Sequence, residues 1–133
     1  SANNKDPVVA RYASDGTQVW CRSDYETSGD DGTALGVLVD AQRVFVVFTA
    51  TGTQGDAAAD YRRFTSSGWL RHYTDAAPGG GGGGKVLVLA QLDASDGAAQ
   101  RGTFITARLS SNKVNSVTKA LAAGFGTGAH ADA

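Results

Sequence analysis

Leu35-Gly36-Val37-Leu38-Val39, a short link at Asp40-Ala41-Gln42 and Val44-Phe45-Val46-Val47-Phe48-Thr49 make two successive apolar runs dominated by Val and Phe. β-Branched and aromatic side chains fit a pleated surface, and runs of this length fall short of a typical helix. Both runs are apolar nearly throughout instead of alternating. That predicts strands buried on both faces or central in a sheet. Upstream, Val8-Val9-Ala10-Arg11-Tyr12 and Thr17-Gln18-Val19-Trp20-Cys21-Arg22 flank the turn Ser14-Asp15-Gly16 and read as a hairpin. A loop rich in Asp, Ser and Gly, Ser23 to Thr33, joins that hairpin to the apolar pair, and Gly52 to Asp56 closes the unit.

A second unit starts over at Tyr61-Arg62-Arg63-Phe64, followed by Ser66-Ser67-Gly68 and Trp69-Leu70-Arg71-His72-Tyr73-Thr74. Setting Gly68 on Gly16 places Phe64 on Tyr12, Arg63 on Arg11 and Ser66 on Ser14. The offset is roughly 52 residues, the period of a propeller blade or solenoid unit. Lys85 to Asp93 matches the buried strands, and the turn Ser95-Asp96-Gly97 precedes a strand at Thr103 to Leu109. Lys113 to Leu121 predicts a last strand, and 124–133, small and polar, reads as a tail. The expectation is one all-β antiparallel domain over 1–123, in related units at about 7–55 and 58–121.

Composition agrees with that class. The chain has 133 residues, with 18 Gly, 2 Pro and no Met, and Glu26 is its single glutamate, so its acidic charge is almost all Asp. Asp and Gly favour turns and oppose helices. Twelve Lys and Arg against 13 Asp and Glu leave a formal charge of −1, which excludes the basic surplus of a nucleic-acid binder. The lone Cys21 excludes an internal disulfide framework, and no run approaches the ~18 apolar residues of a membrane span. A chain opening at Ser1 without methionine reads as a mature form left by cleavage or as a recombinant segment. Low Lys beside abundant Gly, Ala, Ser, Thr and Asp suits a secreted or cell-envelope location.

Val8-Val9-Ala10-Arg11-Tyr12, Asp15-Gly16, Val19-Trp20, Ser28-Gly29-Asp30-Asp31-Gly32, Gly36-Val37-Leu38-Val39-Asp40 and Val44-Phe45-Val46 follow one another in a familiar order. This pattern resembles the β-propeller repeats of extracellular bacterial proteins, closely over about 7–55 and loosely over 58–93. Ala41-Gln42-Arg43 departs from the Gly-Asn turn of that family. The resemblance implies blade-like units in a non-enzymatic extracellular scaffold or interaction protein. A chain of this length holds roughly two to three blades, too few for a ring, so it also implies a homo-oligomer that self-assembles through its β units. The alternative is a self-closed barrel or sandwich of about eight or nine strands.

Few residues offer chemistry. Gly79 to Lys85 has the glycine spacing of a phosphate loop, but Val86 stands where a hydroxyl is needed and a strand follows, so it reads as a glycine-rich hairpin loop. Asp30 and Asp31, near Asp24 and Glu26, are the candidate calcium ligands, although their spacing is not that of an EF-hand. His72 and His130 lack ligand partners at metal spacing, and no Gly-x-Ser-x-Gly elbow occurs. Cys21 alternates with Val19 and is expected to be small, apolar and buried. Nothing here predicts an enzyme or a required cofactor. Aromatics and arginines do coincide, at Trp20, Arg22, Tyr61, Arg63, Trp69, Arg71 and Tyr73. Alternation puts Trp69, Arg71 and Tyr73 on one face and Trp20 beside Arg22 on another. Such surfaces bind sugars or proteins by stacking and forked hydrogen bonds, so a glycan or protein ligand is expected there. A carbohydrate-binding barrel is the alternative function.

Overall fold

The computed structural model describes residues 5–28, 32–40, 42–50, 56–71 and 86–105. Its elements are β1 (Val9–Tyr12), β2 (Gln18–Arg22), β3 (Gly32–Asp40), β4 (Arg43–Ala50), α1 (Arg62–Thr65), β5 (Val86–Asp93) and β6 (Ala99–Ile105). The molecule is mainly β, built of two antiparallel sheets with essentially no helix: β1-β2 as a hairpin, and β3-β4-β5-β6 in chain order. No helix among the described residues is long and apolar enough to cross a membrane.

The hairpin forms where Asp15-Gly16 predicts it. The Asp15 carboxylate accepts from Thr17 N at 2.9 Å, and Ala13 N donates to Thr17 O at 2.8 Å. The Thr17 N–H, and after it the Thr17 hydroxyl, hold the Asp15 carboxyl below its usual range. Register pairs Arg11 with Trp20 and Val9 with Arg22.

In the larger sheet, register lines up Val46 with Ala90 and Gly102, and Phe48 with Val88 and Phe104. These residues, with Val44 and Leu92, form one face, and it is buried. Tyr25, Tyr61 and Phe64 cover it. Ring centroids lie 4.9 Å apart for Tyr25 and Phe48, 5.5 Å for Phe48 and Tyr61, and 5.8 Å for Tyr61 and Phe64. Each aliphatic or Phe side chain so buried stabilises the fold by about 1.5–3 kcal/mol. The two tyrosines keep their hydroxyls bonded, Tyr61 Oη donating to Thr49 O at 3.1 Å and Tyr25 Oη to Gly97 O at 2.8 Å. This meets the requirement that buried polar groups find partners.

The hairpin docks on the β5-β6 turn. Trp20 Nε1 and the Arg11 guanidinium both donate to Ala94 O, at 3.0 and 2.6 Å. Gly97 takes φ +75° under the indole, and a Cβ there would come within 2.6 Å of the ring. Only glycine satisfies both the dihedral and the contact.

Several expectations need correction. Tyr61-Arg62-Arg63-Phe64, read as a strand, instead enters α1. Asp56 and Asp60 cause this: Ala58 N donates to Asp56 Oδ1 at 2.9 Å, and Arg62 N to Asp60 Oδ1 at 2.8 Å. Such bonds occupy N–H groups that a helical turn leaves open. The chain at Trp69-Leu70-Arg71 is likewise not strand. β4 is central as expected, but β3 is an edge, and its Gly36–Asp40 portion is exposed. Cys21 and Val19 point to solvent, because the larger Trp20 takes the inward face of β2. β6 begins at Ala99, ahead of the expected Thr103. The expectations at 72–85, including the glycine-rich loop and Lys85, and those at 106–133, including the last strand and tail, lie outside the described residues.

Candidate functional site: a cleft between the sheet and Trp69

The second face of the sheet presents rows set by the same registers. Phe45, Gln91 and Arg101 form one row, and Val47, Leu89 and Thr103 the next. The β-bulge between Gln91 and Leu92 lets Gln100 join the polar residues of this face. A relay results. Arg101 Nε donates to Gln91 Oε1 at 2.9 Å, and Gln91 Nε2 to Gln100 Oε1 at 3.1 Å. Gln100 Nε2 then donates to Asp93 Oδ2 at 3.1 Å. The Asp93 carboxyl lies below its usual range, held there by the Ser95 hydroxyl, then by Ser95 N–H, with Gln100 adding to both.

The wall of the cleft comes from the chain after α1. Gly68 crosses β6 so closely that a Cβ would sit 2.2 Å from Gly102 O. Leu70 N then donates to Thr103 Oγ1 and Phe104 N to Leu70 O, each at 3.0 Å. Between these fixed points Trp69 is 97% exposed. Phe45, Leu89, Gln91, Arg101, Ser67 and Trp69 are among the residues around an open cleft of about 250 Å³. The Arg101 terminal nitrogens and the Ser67 hydroxyl make no hydrogen bond among the described residues. An indole, an apolar floor and an unspent guanidinium fork suit stacking plus recognition of an anion.

The residues singled out from sequence do not form one site. Trp69 stands at this cleft. Trp20 is packed on Gly97 and its N–H is bonded, while Tyr61 lies in the aromatic core, so both serve the fold. Arg22 and Arg63 meet at a second, polar notch of about 170 Å³ beside Tyr25. There Arg22 pairs with Asp24 at 2.6 Å, and Arg63 donates to Tyr25 O at 2.8 Å and to Asp24 O. The Arg22 hydrogen bond holds the Asp24 carboxyl low, and burial pushes the Tyr25 phenol up to about 12. Arg71 is exposed, and its carbonyl accepts from Thr65 Oγ1 at 2.8 Å. Tyr73, Asp30 and Asp31 lie outside the described residues, among which no His, Cys, Asp and Glu group is placed to hold a metal ion. Gln91 and Arg101 escaped sequence reading. The available signal was a lone amide interrupting the apolar run Val86 to Leu92.

Fold and cleft together define a small antiparallel β protein with an aromatic–guanidinium surface site. Comparison with protein-family models, curated proteins and solved structures found no match to this chain.

Proposed function

We propose that this chain is a non-enzymatic extracellular interaction module that joins copies of itself through its β units. The observation that carries the proposal is the outer edge of β3. Val37 and Val39 are 57% and 64% exposed there, with Leu38 beside them. Thr33 to Val39 carries no charge and no proline, the devices that normally blunt an edge. At its start Gly32 N donates to Lys5 O at 2.7 Å. Past that bond, no backbone group of the described residues pairs with the outer row.

An unpaired row of N–H and C=O groups flanked by apolar side chains is a template for another strand. A second β3 laid antiparallel against it is self-complementary, as a twofold interface requires. A four-stranded antiparallel meander is blade-like in topology, although it takes β3 and β4 from the first expected unit and β5 and β6 from the second and leaves β1-β2 as a separate sheet. Composition supports a place outside the cell.

Light scattering over a concentration series tests this. The expected result is a dimer or larger assembly that Val37→Lys and Val39→Lys each return to monomer with unchanged circular dichroism. A strict monomer throughout the series overturns the proposal, as does an assembly indifferent to both lysines.

A further inference from the structure

We infer that the cleft beside Trp69 is a binding site for a carboxylate-bearing sugar, a uronate residue of an acidic glycan. It is independent of self-association, since it uses β4, β5, β6 and the Gly68 crossing, whereas the proposed interface uses the outer row of β3.

Four observations converge. Trp69 offers a nearly fully exposed indole, a poor choice for a surface residue without a ligand, and a flat ring stacks on the C–H face of a pyranose. Phe45 and Leu89 supply apolar floor under the same cleft. Among the described residues Arg101 is held by its Nε alone, through a relay reaching the Asp93 carboxylate, so its two terminal nitrogens remain as a fork. A fork pre-oriented in this way matches the two oxygens of a carboxylate. Ser67 adds a hydroxyl for a sugar hydroxyl, and about 250 Å³ suits a sugar residue or two more than an extended chain.

The neighbouring backbone argues for a sugar over a peptide strand. Peptides commonly bind by adding to a free sheet edge. Here Phe104 N and the Thr103 hydroxyl of β6 are already committed to Leu70. The cleft therefore offers side-chain groups, with little main chain to pair.

Calorimetric titration of the whole chain with trigalacturonate, its methyl ester and an acidic hexapeptide tests the inference. The expected result is binding of trigalacturonate about tenfold or more tighter than its neutral ester. Arg101→Gln abolishes that preference, and Arg101→Lys, which keeps the charge without the fork, restores it only in part. Trp69→Ala loses binding of both sugars. Both side chains are exposed, so circular dichroism of the variants stays unchanged. Absence of trigalacturonate binding overturns the inference. So does equal affinity for the ester, affinity unaltered in either Arg101→Gln or Trp69→Ala, or tighter binding of the hexapeptide.

Discussion

The two edges of the larger sheet are finished differently. Along β6 the chain folds back on itself: Phe64 packs against Gly102, Gly68 crosses the backbone, and Leu70 occupies Phe104 N and the Thr103 hydroxyl. Trp20 and Tyr25 clamp the β5-β6 turn at the same side. Along the outer side of β3, Gly32 is the one residue tied down among the described residues, and Val37, Leu38 and Val39 face solvent. An edge that costs nothing to cover is normally covered or charged. The closed edge thus concentrates stability, and the open one is available for association.

The largest expected effect comes from opening the closed edge. Phe64 is buried against Tyr61 and Gly102. Phe64→Ala removes a ring whose space the backbone crossing at Gly68 cannot collapse to fill. It is expected to cost about 3–5 kcal/mol in urea unfolding. A loss below about 1 kcal/mol in the same experiment places the strength of the closed edge elsewhere.

Alkaline pH weakens the same side by a smaller amount. Burial raises the Tyr25 phenol to about 12, with Arg22 opposing and Asp24 adding to the rise, while its hydroxyl donates to Gly97 O. A group whose folded value is raised contributes stability in full below its unfolded value of about 10 and loses it as pH rises to the folded one. Stability is therefore expected to fall between about pH 10 and 12, by on the order of 2 to 3 kcal/mol from this group. Tyr25→Phe removes that part of the pH dependence. An unchanged alkaline slope in the variant contradicts the assignment.

The contrast between the edges also explains what the sequence disclosed. Val86 to Leu92 and Val44 to Thr49 were legible as buried strands because apolar density is a local property, and Asp15-Gly16 marked its hairpin. Gly36 to Val39 looks the same in composition, yet lies at an edge. Which strand ends up outermost depends on partners distant in the chain. Tyr61 to Phe64 looks like Val8 to Tyr12 in residue type, but the carboxylates of Asp56 and Asp60 set a helical turn there. At the cleft, Trp69 was legible as an aromatic beside a turn. Its companions Gln91 and Arg101 face each other only through the β5-β6 register. Cross-strand neighbours of that kind have no signature in spacing.

The smallest expected effect lies at the link beside the open edge. Arg43 pairs there with Asp40, and the two side chains are 54% and 55% exposed. Asp60 and Arg62, which lead into α1 on the closed side, form a pair whose carboxylate is almost wholly buried. Water and salt screen an ion pair as exposed as Asp40–Arg43, and two flexible side chains must be ordered to make it. Arg43→Ala is therefore expected to change stability by no more than about 0.5–1 kcal/mol. The register Asp40↔Arg43 persists without it, since Val39 opposite Val44 and Leu38 opposite Phe45 already fix the pairing. A loss of several kcal/mol, together with a dependence on ionic strength that the mutation removes, shows that this end of the open edge is held by its ion pair after all.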